Sequence, residues 1–301
     1  MRKESESCIT TLFQENSISF GCCMGLATFV PLSNGKSSHL QTALSWEEKL
    51  DIVPSIMEAL ERSGFDFVEA EVALLSPEGS LQNFKAFKKK IQSFSIKPEV
   101  FSAFIPPDLK VVGPHVDKMR MKRYLGESIP RVAEVGGKVI IWGSGASRTY
   151  PENYPFKNAY KQIEDFIHLA ADYAREYQVC LAIEHMNRWE SNMINSLKEA
   201  IILAEKVDMP EVQVMVDYYH LMMEEEELSG IYLSRGKVIH VHLSDSDRKR
   251  PGGGTFPFIP FIKSLKQIKY GGRISLECNF QEFETESKRG LEFVRDIWEK
   301  T

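Results

Sequence analysis

No apolar run in this sequence is long enough to cross a bilayer. The longest, from Cys22 to Leu32, is interrupted by Gly25 and Pro31, and a broken run of that kind does not span. Positive charge is not in excess either: 37 Lys and Arg stand against 42 Asp and Glu, a formal net charge of -5. Such a chain has no global basic field to draw in nucleic acid or an anionic membrane. Its basic runs are local, Lys88–Lys90 on a solvated helix face and Arg248–Arg250 in a loop. Cysteine is scarce and odd in number, with five residues and no C-x-x-C pair. Cys22, Cys23 and Cys180 fall in apolar, strand-like runs where a reduced thiol acts as a small hydrophobe. That pattern argues against a disulfide framework and for a reducing cytosol. The N-terminal MRKESESCITTLFQENS lacks the apolar core of a signal peptide. The expectation is a soluble, cytoplasmic protein.

What is present is alternation. A polar extension over residues 1–17 precedes a first strand at Ile18–Met24, and a Ser-, Gly- and Asn-rich loop follows it. Ser45 with Glu48 three residues on is a capping-box pattern opening a helix, which Gly64 stops. Further strands are predicted at Phe65–Val72, Glu99–Ile105, Lys138–Trp142, Val179–Glu184, Val212–Asp217, Val238–His242 and Arg273–Glu277. Helical periodicity separates each from the next, clearest where Ile163, Phe166, Ile167, Ala170 and Ala174 mark one face. Eight strand–helix pairs in series fit an α/β fold, a single (β/α)8 TIM barrel over 18–301, better than an open sheet. The 301 residues exceed a typical core of ~150 but suit a one-domain barrel.

In a barrel the site forms at the C-terminal strand ends. The fifth strand ends in Glu184, within E-x-x-N-R-x-E. The sixth ends in Asp217, with His220 in D-x-x-H. The seventh sends His240 and His242 to one face, and the eighth ends in Glu277. Carboxylates this crowded repel one another unless protonated or neutralised, and a divalent cation is the simplest neutraliser. Three oxygens and one nitrogen suit Mn2+, Co2+, Mg2+ or Zn2+ rather than thiolate-seeking metals. Salt bridges to Arg148, Arg188 or Arg248 are the plainer alternative. Glu69, near the end of the second strand, and Trp142, ending the fourth, are candidate pocket-lining residues.

The motifs at Glu184–Glu190 and Asp217–His220, the H-x-H followed by Arg248 and Pro251-Gly252, and Glu277 together resemble the xylose-isomerase-like TIM barrels. Within them the chain looks most like the ketohexose (tagatose/psicose) 3-epimerases and the sugar phosphate isomerase/epimerase group. The resemblance implies Glu184, Asp217, His242 and Glu277 as ligands of one divalent ion, Mn2+ foremost, with Glu184 and Glu277 also the acid/base pair. It implies isomerisation or epimerisation by proton abstraction beside a metal-bound carbonyl, through a cis-enediolate. Glu190, His220 and Arg248 would bind sugar hydroxyls, His220 alternatively holding Asp217 and Glu190 alternatively pairing with Arg188. His240 would be a buried neighbour of the site. A homodimer or homotetramer is a tendency of the family.

The chain departs from those epimerases in two places. CCMGLATFVPLSNGK lacks the sugar-capping aromatics that follow their first strand. WGSGASRTYP places Ser144, Ser147 and Arg148 where a Gly/Ser loop can hold a phosphate or carboxylate, which admits an anionic sugar; Arg148 as a staple of its own loop is the alternative. A metal-dependent lyase or dehydratase on a keto-sugar or inosose shares the same first step. An apurinic-type endonuclease would need further His and Asp ligands for a three-zinc cluster. WGSG and SDSDRKRPGG do not supply them.

Overall fold

Eight parallel strands close into a barrel in chain order. They are β1 (Ser19–Met24), β2 (Phe67–Glu71), β3 (Pro98–Ser102), β4 (Val139–Trp142), β5 (Cys180–Ile183), β6 (Val212–Asp217), β7 (Val238–Leu243) and β8 (Arg273–Leu276). The computed structural model describes residues 8, 12, 18–24, 45–234 and 236–301; the loop read after the first strand and most of the polar extension lie outside the described residues. Helices cover the sheet between consecutive strands from β2 onward, and Trp46–Ser63 precedes β2. That helix opens with the expected capping box between Ser45 and Glu48. It closes at Gly64, whose φ of 83° is left-handed backbone that glycine adopts without a Cβ penalty.

Period-two alternation decides what the barrel encloses. Phe67, Ile141, Ala182 and Met215 belong to an apolar cluster at the lower centre of the barrel. Two residues further along the same strands stand Glu69, Gly143, Glu184 and Asp217, so the inward face changes from packed to ionisable at one level. The outward face of each strand joins the larger core against the helices, as Ile140, Trp142, Leu181 and Ile183 do. At Gly21 an added Cβ would lie 2.4 Å from the Phe67 ring, so the narrow interior admits a large side chain on β2 only because β1 has none there.

Two expectations change. The helix expected between the sixth and seventh strands is two short pieces, Tyr218–Met223 and Ser229–Leu233. Between them four consecutive glutamates repel along a continued helix. Glu225 turns left-handed at φ 51° and Glu226 folds back to accept the Leu197 N–H. The second change is at Cys180, read as a reduced thiol. It forms a disulfide with Cys8, both cysteines being buried, and Cys22 and Cys278 remain buried thiols. A partner this remote along the chain leaves no spacing pattern to read. Cys8 and Leu12 pack into the apolar cluster at the barrel's lower end, so the bond ties an N-terminal segment to the strand that carries Glu184. Among the described residues no helix is long and apolar enough to cross a membrane.

Cross-linking positions 172 residues apart restricts the unfolded chain more than the folded one. Cys8→Ser, or reduction with dithiothreitol, is expected to lower unfolding stability by about 2–4 kcal/mol. Urea titrations of the oxidised, reduced and substituted protein measure this; coincident curves would contradict it.

Candidate active site

Glu184, Asp217, His242 and Glu277 converge at the C-terminal mouth. One ligand atom from each lies within 4.8 Å of all the others. His242 Nδ1 is 3.4 Å from Glu184 Oε1, 3.7 Å from Asp217 Oδ2 and 3.5 Å from Glu277 Oε2. Two of these atoms, Asp217 Oδ2 and His242 Nδ1, are buried without a hydrogen-bond partner. A buried acceptor left unpaired is costly, and two orphans aimed at one point among carboxylates are what a cation site requires. The O3N donor set therefore fits a hard-to-borderline divalent ion.

The wall beneath supports this arrangement. Glu69, fully buried on β2, accepts from Nε2 of His240 and of His242, each at 3.0 Å. With Nε2 engaged by Glu69, Nδ1 of His242 faces the cluster, the orientation a metal ligand needs. Burial alone would raise the Glu69 pKa, but His242 and His240 hold this carboxyl well below its usual range. Burial disfavours charge on His242 too, yet Glu69 and Glu277 push its proton affinity well above the ordinary imidazole value. His240, expected as a buried neighbour, is one; burial pulls its pKa down to about 4 against the pull of Glu69.

Glu184 and Glu277 differ in their surroundings. Burial raises Glu184 above the usual carboxylate range, partly countered by His242. Burial acts the same way on Glu277, but His242 and Arg248 outweigh it and hold the group low. Arg248 Nη1 donates to Glu277 Oε2 at 2.7 Å, and Nη2 to Glu190 Oε1 at 2.8 Å. Its guanidinium also stacks 4.4 Å over the Tyr219 ring. The loop that carries it is strained: Asp247 and Arg248 both have left-handed φ, 58° and 52°, at a cost of roughly 1–3 kcal/mol each. Asp245 offsets this by accepting from the backbone N–H of Ser246, Gly252 and Phe256.

His220 accepts at Nδ1 from the Asn187 side chain at 2.9 Å and from the Asn187 backbone at 3.3 Å. Its proton therefore sits on Nε2, 3.5 Å from Asp217 Oδ2 and 4.0 Å from Glu184 Oε1. Asn187 also donates to Glu190 at 3.0 Å. Arg188 pairs with Glu224 rather than with Glu190.

A cavity of about 560 Å3 opens above the cluster, with Glu184, Glu190, His220, Arg248 and Glu277 in its lining. Trp142 and Arg148, expected to touch substrate, do not line it. Trp142 is the last residue of β4 and faces outward, its ring packed at a tilt 5.1 Å from Phe166 in the helical layer. Arg148 is wholly buried behind the strand, donating to the Trp142 carbonyl at 3.1 Å and lying 5.3 Å over its ring. It staples its own loop, and burial lowers its pKa to about 10.

Asn187 and Gly143 were not assigned to the site from the sequence, and Glu69, expected as a pocket-lining residue, is not in the cavity lining but lies beneath it against His240 and His242. Asn187 is inside the E-x-x-N-R-x-E motif and Glu69 sits on an inward strand position, so both left a signal. Gly143 left none: a Cβ there would lie 1.4 Å from Glu184 Oε2, a constraint visible only in three dimensions.

Two substitutions test the geometry by metal titration calorimetry. Glu69→Gln is expected to weaken divalent-ion binding about 10–100-fold, by freeing the His242 ring. Gly143→Ala is expected to reduce binding by at least about 10-fold by displacing the Glu184 carboxylate, with the cooperative melt retained. Unchanged affinity in both would remove these four residues as a ligand set.

A sequence profile of the xylose isomerase-like TIM barrel family matches residues 57–297. The chain is 28% identical over 175 residues to a 3-dehydro-D-guloside 4-epimerase of Escherichia coli (strain K12), covering 55% of this chain and 67% of that protein. It is 28% identical over 129 residues to a D-psicose 3-epimerase of Ruminiclostridium cellulolyticum, 42% of this chain but 44% of that protein's length. A crystal structure of D-psicose 3-epimerase with D-tagatose, from Clostridium cellulolyticum H10, superposes with a TM-score of 0.74 at 18% identity, covering 93% and 99% of the two chains.

Proposed function

The chain belongs to the xylose isomerase-like TIM barrel family, and from that premise we propose that it is a divalent-metal-dependent isomerase or epimerase of a sugar. The observation that carries this reading is the pair of orphaned buried atoms, Asp217 Oδ2 and His242 Nδ1, between two cavity-lining carboxylates. Glu184, Asp217, His242 and Glu277 would hold the ion, Mn2+ in our reading, with Co2+, Mg2+ and Zn2+ admitted by the same donors. When bound, such an ion supplies a Lewis acid that polarises a carbonyl and acidifies the adjacent C–H. The proteins similar in sequence act, by their names, on psicose and on a dehydro-guloside, which supports a keto-sugar as the substrate.

The protein's own groups supply the proton transfers. Glu184 extends from the end of β5 and Glu277 from the end of β8, three strands apart in a ring of eight, so they face a bound sugar from different sides. One carboxylate removes the proton next to the carbonyl. The other returns a proton to the opposite face, which inverts that carbon; return to the neighbouring carbon would exchange aldose and ketose. Arg248 orients Glu277 and Glu190, and His220, with its proton on Nε2, donates to a sugar hydroxyl or to Asp217. A phosphorylated sugar loses its main support, because Arg148 does not reach the cavity.

Protein loaded with Mn2+ and incubated in D2O with ketoses is expected to return substrate and product carrying solvent deuterium beside the carbonyl. Glu184→Gln and Glu277→Gln should each lower kcat by about 10³-fold. Product lighter by one water would replace this reading with a lyase. Elemental analysis should give near one metal per chain; near three zinc ions would point to a nuclease. No metal after incubation with excess Mn2+ would end the proposal.

A further inference from the structure

The cavity is larger than the reaction requires. A ketohexose has twelve heavy atoms and occupies roughly 200 Å3 at ordinary organic packing, against about 560 Å3 available. The ionisable side, from β5 to β8, uses only part of that space. The opposite side is built by residues following β2, β3 and β4: Ala73, Ala103, Ile105, Pro106, Tyr124 and Ala146. Because the strands close in sequence order, these lie across the mouth from the carboxylate cluster.

This second side is preformed. The Ile105 N–H donates to Ser144 Oγ at 2.9 Å, joining the loops after β3 and β4. Tyr124 donates its hydroxyl to the Phe104 carbonyl at 2.6 Å and so offers its ring, not its oxygen. Pro106 and Pro107 stiffen the wall, and Ala73, Ala103 and Ala146 keep the space clear. Its charge is also selective. Among the described lining residues the cationic side chain is Arg248, paired with Glu277 and Glu190, while His220 accepts from Asn187. Glu71 also lines the far side. A phosphate would meet apolar surface there, whereas an uncharged apolar group would be desolvated against carbon.

We propose that the β2–β4 side of the mouth is a subsite for an uncharged, apolar or aromatic aglycone, so that the substrate is a keto-glycoside rather than a free or phosphorylated ketose. This rests on the isomerase/epimerase reading above and narrows it. A glycoside has its anomeric carbon locked as an acetal. Its carbonyl is therefore a ring ketone, and the reaction that supplies it must be a two-electron oxidation of a ring secondary alcohol.

The test uses the metal-loaded, full-length protein and four probes: the methyl and phenyl glycosides of a ring-keto hexose, a free ketohexose and its phosphate. Exchange of solvent deuterium into each is followed by NMR. Burying a phenyl ring in place of a methyl group should raise kcat/KM about 50-fold, with the phosphate slowest. In Ala146→Trp, which fills the subsite, the phenyl-to-methyl ratio should fall to near one. Calorimetry with phenyl β-glucoside, which has no ketone to react, reads the subsite apart from catalysis: it should bind the wild type and fail to bind Ala146→Trp.

Equal exchange for all four probes together with no phenyl glucoside binding would overturn the subsite and leave the isomerase reading standing. Faster exchange of the phosphate would do the same. No exchange from any probe, with phenyl glucoside still bound and displaced by Ala146→Trp, would support the subsite and overturn the enzyme reading.

Discussion

The structure depends on how one buried carboxylate is satisfied. Glu69 is wholly inside the barrel, where an isolated charge would be prohibitively expensive, and it is stable there because His240 and His242 both donate to it. That one contact fixes the ring orientation of His242 and presents its Nδ1 to Glu184, Asp217 and Glu277. It also binds β2 to β7 across the interior, strands that are not neighbours in the sheet. The apolar layer below, with Phe67, Ile141, Ala182 and Met215, closes the barrel so that water does not reach Glu69 from beneath. Chemistry at the mouth is therefore supported by packing below it.

Above that level the carboxylates are arranged by loops rather than strands. Asn187 holds His220 and Glu190 together, and Arg248 holds Glu190 and Glu277. This makes a continuous chain of contacts from the loop after β5 to the end of β8. The left-handed backbone at Asp247 and Arg248 is the conformational cost of aiming one guanidinium at two carboxylates and the Tyr219 ring. Asp245, with its three backbone hydrogen bonds, makes that conformation the stable one.

The barrel was legible because its signals are local. The capping box at Ser45 and the face marked by Ile163, Phe166 and Ala170 are each written within a few turns of chain, and the structure reproduces both. The convergence of Glu184, Asp217, His242 and Glu277 was legible for a related reason: in a closed parallel barrel every strand end reaches the same rim. What was not legible depends on contacts between distant residues. The pairing of Cys8 with Cys180 has no spacing signature. The absence of a side chain at Gly143 reads as loop composition until the Glu184 carboxylate is seen in that space. The helix expected after β6 failed because helical spacing continues through four glutamates whose mutual repulsion periodicity does not weigh.

Arg148 shows the same limit in its sharpest form. An arginine in a Gly/Ser loop at a barrel mouth has the composition of an anion site, and the sequence cannot say on which side of the strand the guanidinium lies. Here the loop turns into a short helix, Gly145–Arg148, that carries the side chain outward over Trp142. Gly145 permits that turn, because a Cβ there would meet the Glu190 carbonyl oxygen at 2.7 Å. With the guanidinium withdrawn, the β4 side of the cavity keeps Ala146 and has no basic group among its described lining residues. The residue that most suggested an anionic substrate is thus, by its burial, no part of the cavity wall.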